Sequence, residues 1–342
     1  MRGADDPLER VQQSLRTREL SPDMSKVIAV SADLAQPNLN LPSATFERIQ
    51  AEITHIIHAA WPVNFNIALS AFEPHLKGLQ NLLNLSLSVK APKPAKFVFC
   101  SSVSVALGTQ PTQVIYEEPI KDFAQALPSG YARSKLVGEH IVEAASKAGA
   151  DAHILRIGQV IGDTKNAIWN DTEAYPLIIR SALRLGVLPK LDETWSWLPV
   201  DTLAAAMLDV MDLDKNDETR SCGVWNLQNP KTFHWTRDLL PILSEAGINF
   251  EQVEPQAWLQ RLRKYSEETS PKEALQLNPA VKLLEYFEES FGTKEHNQVT
   301  FDTTKACADS EHLRGAPDVV QSGLMTKTVR VWLDKWEREK AR

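Results

Sequence analysis

Glycine is scarce and scattered in this chain. There are 14 among 342 residues, and Gly3, Gly78, Gly108, Gly130, Gly138, Gly149, Gly158 and Gly162 never fall into a close run. A Gly-rich turn that brings a phosphate to the amino end of a helix is therefore not encoded in these residues. Cysteine is nearly absent: Cys100, Cys222 and Cys307 are too few and too dispersed for a disulfide framework or a zinc site. No apolar run approaches the roughly 20 residues that span a bilayer, which argues against a membrane protein. The opening Met-Arg-Gly-Ala-Asp-Asp-Pro lacks an apolar signal region, so a cytoplasmic location is expected. Positive charge is also short, with Lys+Arg 37 against Asp+Glu 44 and a net charge of −7, which argues against nucleic acid as a partner. No internal repeat or low-complexity tract is visible.

What remains is ordinary globular material: 43% hydrophobic and 24% charged residues suffice for a core of normal size. Residues 6–20 read as a helix with Pro7 in its first turn and Leu8, Val11 and Leu15 on one stripe. Strands are expected at 26–31, 55–59, 96–105 and 152–157, with helices at 46–53, 72–89 and from Tyr131 onward. A further helix is expected at 200–211, a strand at 224–227, and mostly helices from Trp235 to the end. Strands alternating with helices predict an α/β fold with a Rossmann-like, doubly wound parallel sheet. The predicted division is a core over residues 1–230, with a substrate-facing insertion at about 164–196, and a mostly helical substrate region over 231–342.

Tyr131 and Lys135 lie four residues apart, on one face of the predicted helix. An ammonium beside a phenol stabilises phenolate, so the pair suits proton transfer near neutral pH, with the tyrosine pKa lowered. The strand ending in Ser101 and Ser102 delivers a hydroxyl to the carboxyl end of a parallel strand, where open α/β sheets bind ligands. His58 and His75 are expected to be buried, hydrogen-bonded histidines.

The order Ser102, Tyr131, Lys135, on strand then helix, resembles the short-chain dehydrogenase/reductase superfamily in its extended branch. The likeness narrows with five groups of residues: His55-Ile-Ile-His-Ala-Ala-Trp-Pro-Val-Asn-Phe-Asn66, Phe72-Glu-Pro-His-Leu-Lys-Gly-Leu-Gln-Asn-Leu-Leu83, Leu155-Arg-Ile-Gly-Gln-Val-Ile-Gly162, Ile168-Trp-Asn170 and Trp197-Leu-Pro-Val-Asp201. Together they resemble fungal thioester reductase domains, the terminal domains of nonribosomal-peptide-synthetase-like and carboxylic-acid-reductase-type enzymes. The resemblance implies NADPH-dependent reductive release of an acyl thioester, carried on a phosphopantetheinyl carrier protein, to an aldehyde or alcohol. It implies Ser102, Tyr131 and Lys135 as catalytic, with Ser102 a better match than Ser101. It implies Ala59, Ala60, Lys135 and Gly158 around the cofactor, Asp33 and Leu34 beside its adenine, and Arg2 on the 2′-phosphate of NADP. Trp169, Asn170, Tyr175, Trp195 and Trp197 would shape the acyl side. The departure from the family is the missing Gly-x-x-Gly-x-x-Gly turn, with the strand and helix around it. A fragment or truncated gene model, a chain with impaired redox activity, and a chain completed by another polypeptide all accommodate it. Two rival functions remain open: thioester cyclisation without a cofactor, and a catalytically inactive binding scaffold.

Overall fold

The structure is a computed structural model that describes residues 6–109, 113–212, 222–292 and 299–340. The chain divides into two compact units. The first comprises residues 1–158, 205–228 and 299–314; the second comprises 159–204, 229–298 and 315–342.

The first unit is built on a parallel sheet of β1 (His55–His58), β2 (Lys96–Ser102), β3 (Ala152–Ile157) and β4 (Val224–Leu227), side by side in that order. Parallel strands are buried on both faces, so they read as continuous apolar runs, and Phe97, Val98 and Phe99 of β2 are almost fully enclosed. The helices of this unit include α1 (Pro7–Thr17), α2 (Ser43–Glu52), α3 (Glu73–Leu87) and α4 (Gly130–Lys147). Leu79 and Leu83 of α3 and Val142 of α4 share one core with Phe97, Phe99 and Ile154 of the sheet. Gly138 lets α4 approach that closely: a Cβ there would lie 2.7 Å from Cζ of Phe99. The mixed α/β architecture with a parallel sheet is the one predicted.

One predicted strand is not formed. Residues 26–31 make no ladder, and Ile28 and Val30 are 70% and 46% exposed. Extended backbone becomes a strand only when a neighbour supplies the hydrogen bonds, and β1 is paired on one side only among the described residues. The predicted first helix does form as α1, yet its apolar stripe buries no residue.

The second unit is mostly helical, with helices including Ala174–Leu185, Pro255–Glu268, Leu284–Gly292 and Leu324–Lys340. Short parallel pairs join Gln159–Ile161 to Trp197–Pro199 and Val187–Pro189 to Glu251–Val253. Its core is rich in tryptophan, and several of the buried indoles find acceptors, although the Nε1 atoms of Trp195 and Trp197 have none among the described residues. Trp235 donates to the Pro189 carbonyl at 2.9 Å, Trp258 to Ser181 Oγ at 3.0 Å, and Trp336 to Asp171 at 2.7 Å. Among the described residues no helix is long and apolar enough to cross a membrane.

Candidate active site at the carboxyl end of the sheet

Helix α4 begins where Ser129 Oγ accepts the Ala132 N–H at 3.2 Å, an N-cap that fixes the first turn and the residue within it, Tyr131. Gly130 is required there, because a Cβ would sit 2.1 Å from the Ile67 carbonyl oxygen. Lys135 follows one turn later on the same face, and both side chains are buried. The Tyr131 hydroxyl is hydrogen-bonded to the Ser102 side chain, which stands at the end of β2 and also accepts the Ser104 N–H at 3.2 Å. The two hydroxyls thus converge at the carboxyl end of the sheet. Phe65 lies over the phenol with ring centroids 4.8 Å apart.

Lys135 is arranged differently from the expectation. Its Nζ donates to the Cys100 carbonyl at 2.6 Å and lies 4.6 Å from the Trp61 ring centre and 4.8 Å from that of Phe99. Burial pushes this amine down from 10.5 to about 7, partly offset by Cys100 and Glu139. Burial pushes the Tyr131 phenol up, with the Ser102 hydrogen bond pulling the other way. The predicted lowering of the tyrosine pKa is therefore not found: desolvation dominates, and the lysine amine is bound to a carbonyl.

The other predicted residues fall at neighbouring strand ends. Ala59 and Ala60 follow β1 as exposed chain, and Gly158 follows β3. A Cβ on Gly158 would lie 2.9 Å from Cγ of Gln228, so a side chain here would push into the β4 exit. Asp33 forms a tight turn, its Oδ1 accepting the Ala35 N–H at 3.1 Å, and Asn81 of α3 holds that turn by donating to the Leu34 carbonyl at 2.8 Å. Arg2 lies outside the described residues. In the second unit Trp169 is part of the core, 5.0 Å from Trp197, and Tyr175 packs 4.8 Å from Trp195.

Beneath the hydroxyls lies a charge cluster that the sequence reading missed. Arg156 of β3 is fully buried and donates to both Glu139 oxygens, at 2.8 Å from Nη2 to Oε2 and 3.1 Å from Nε to Oε1. Ser101 Oγ donates to the same carboxylate at 2.6 Å, and Arg156 also donates to the Tyr116 and Glu118 carbonyls. This separates the two serines: Ser101 is committed to Glu139, and Ser102 faces Tyr131. The signal was present, since an arginine within the apolar run 152–157 must find a buried acid, and Glu139 is one turn beyond Lys135 on α4. His58 also departs from expectation. It is buried at the end of β1 among Trp61, Phe97 and Phe99, but its Nε2 has no hydrogen-bond partner among the described residues. Burial pushes its pKa down to about 4, so the ring is neutral at physiological pH.

Comparison with known proteins identifies the family and the fold. A family model for an NAD-binding domain, described as Male sterility protein, matches residues 1–207. The adenylate-forming reductase Nps10 of Heterobasidion annosum is 31% identical over 97% of this chain and 31% of its own length. The carboxylic acid reductase of Neurospora crassa is 32% identical over 96% of this chain and 32% of its own. The chain thus spans about a third of these relatives. Among solved structures, the terminal R domain of the myxalamid PKS-NRPS pathway superposes with a TM-score of 0.80 at 22% identity, covering 97% of this chain and 81% of that one. The R domain of a nonribosomal peptide synthetase from Mycobacterium tuberculosis superposes at 0.70 and 17% identity, covering 97% of this chain and 83% of that one. With more than half its length matched, the chain belongs to the NAD-binding family described as male sterility protein, and its fold is that of terminal reductase domains.

Proposed function

We propose that this chain performs NADPH-dependent reductive release of an acyl thioester carried on the phosphopantetheine arm of a carrier protein, giving an aldehyde or alcohol. The observation that carries the reading is the Tyr131–Ser102 hydroxyl pair with Lys135 one helical turn behind it. Two hydroxyls meeting at a strand end can both donate to one carbonyl oxygen, and such donors act most strongly where water is excluded. Tyr131 then supplies the proton as negative charge builds on that oxygen, and Ser102 holds the oxygen in line. Lys135 sits close enough to the phenol face, 5.9 Å from its centre, to steady the charge left on Tyr131. The nicotinamide, when bound, supplies the hydride.

The residues present fit the reacting half of such a cofactor. Lys135 and Gly158 would face the nicotinamide ribose, Ala59 and Ala60 would let the chain pass close to the backbone, and Asp33 and Leu34 would meet the adenine. The rival reading of the same hydroxyl pair is release of the thioester by cyclisation, without a cofactor. Titration of NADPH against tryptophan fluorescence, paired with a carrier-bound acyl thioester assay, separates the two. Saturable binding that Lys135→Ala weakens, with aldehyde formed, supports reduction. Thioester turnover to a ring product with no NADPH binding supports cyclisation, and neither activity removes both.

A further inference from the structure

Trp61, three residues past the end of β1, is buried and touches α4 in two places. Its indole Nε1 donates to Ser134 Oγ at 3.1 Å, and that hydroxyl donates in turn to the Tyr131 carbonyl at 2.7 Å. Its ring lies 4.6 Å from Lys135 Nζ, and Phe99 closes on the amine from β2 at 4.8 Å. The indole thus spans the one turn of helix between the phenol and the amine. Its orientation is fixed from several elements. Phe99 meets it edge-on at 5.4 Å, Phe72 lies nearly parallel at 6.3 Å, and its backbone N–H donates to the Ala59 carbonyl at 3.0 Å.

We propose that Trp61 is a positioning residue for the Tyr131–Lys135 pair: the indole N–H pins the first turn of α4 through Ser134, and the ring face holds the Lys135 amine as a cation beside the phenol. Its bearing on proton transfer rests on the reductase reading; its hold on the amine does not. Among the described residues Nζ has the Cys100 carbonyl as its hydrogen-bond partner and forms no ion pair. An ammonium carries three N–H donors, and the electron-rich faces of Trp61 and Phe99 take up what the carbonyl leaves. The other titratable groups around the amine are engaged or neutral. Glu139 is held by Arg156 and Ser101. The Cys100 thiol is pushed up to about 11, burial pushes the Tyr131 phenol up, and the His58 ring is pushed down to about 4, so all three stay neutral while the amine titrates. His75 of α3 packs against the Trp61 ring at 5.8 Å. Desolvation disfavours the ammonium, and the ring face offsets part of that loss, so removing the ring drives the proton off at lower pH.

The test is an NMR titration of Lys135 in the full 342-residue protein carrying isotope-labelled lysine, the signal assigned by its loss in Lys135→Met. Trp61→Leu should lower the titration midpoint by about one unit. Trp61→Phe keeps a ring but loses the donor to Ser134; it should lower the midpoint by less and speed hydrogen exchange at the amides of residues 132–135 by about fivefold relative to the rest of α4. Leu83→Ala loosens the same core without removing a ring and should leave the midpoint in place. A midpoint unchanged or raised in the tryptophan variants overturns the proposal, and so does an equal fall in Leu83→Ala, which would reduce Trp61 to packing. If Trp61→Leu does not fold, Trp61→Phe decides by the same criterion. The titration needs neither substrate nor cofactor. A lowered midpoint in a chain whose wild type reduces no thioester therefore supports the cage and counts against the reductase reading alone, whereas in a chain that does, the pH profile of turnover should move with the midpoint.

Discussion

Replacing Lys135 by methionine tests the electrostatics of the site directly. Methionine keeps the length of the side chain and its packing against Trp61 and Phe99 but carries no charge. Burial takes the lysine from 10.5 to about 7. At about 1.36 kcal/mol per unit, holding the protonated form inside the folded chain costs up to roughly 5 kcal/mol. The sign follows from the depressed folded value. Between pH 7 and 10.5 the unfolded chain binds more protons than the folded one, so unfolding free energy rises with pH. The penalty is complete below pH 7 and is relieved as pH climbs toward the unfolded value. Wild-type stability should therefore gain about 2 kcal/mol between roughly pH 7 and 9 relative to Lys135→Met. That window precedes most of the opposing effect of Cys100, whose thiol is pushed up to about 11 and whose contribution fades as pH rises through that value. Urea unfolding at both pH values, read by hydrogen exchange at β2 amides, reports the unit that holds Lys135. Parallel pH dependences in the two proteins would refute the argument, because they would mean that the amine is hydrated in the folded state.

Tyr131→Phe should lower turnover by about 10²–10⁴-fold in a thioester assay while changing stability by only about 1 kcal/mol; an active variant contradicts the assigned proton donor. Glu139→Ala strands the Arg156 guanidinium without its acid and should destabilise the chain by about 3–5 kcal/mol, measured by denaturant titration, whereas Ser101→Ala should cost about 1 kcal/mol. Gly130→Ala places a methyl against the Ile67 carbonyl and must shift either that loop or the start of α4. It should destabilise by about 1–3 kcal/mol, with a fall in turnover larger than stability alone explains, because Tyr131 is the next residue.

The legible parts of the sequence were those where side-chain type and spacing decide the outcome alone. The run 152–157 became β3 with its predicted ends, and residues 200–211 became the helix Val200–Met211, because apolar period and flanking residues act within one element. Tyr131 and Lys135 shared a face for the same reason. Their electrostatics were not legible, since these depend on Trp61, Phe99 and the Cys100 carbonyl closing around the amine from other elements. Residues 26–31 show the opposite limit. Their short run of apolar, largely β-branched side chains marks a segment able to be a strand, but a strand also needs a neighbour, and composition cannot supply one.

The same contrast divides the site by its support. Tyr131, Lys135 and Ser102 stand on α4 and β2, whose contacts with Phe97, Phe99 and Leu136 are fully buried, and the Glu139–Arg156 pair ties α4 to β3 directly below them. Ala59, Ala60 and Asp33 stand on exposed chain beside the free edge of β1 and the unpaired residues 27–31. Rigid elements hold reacting groups in register, whereas segments with few buried contacts open at low free-energy cost. On the proposed function, proton transfer and ligand affinity are therefore supported by different parts of the fold. Changes at the β1 edge should move binding while leaving the geometry of the Tyr131–Ser102 pair intact, and changes in the Glu139–Arg156 cluster should disturb that pair first.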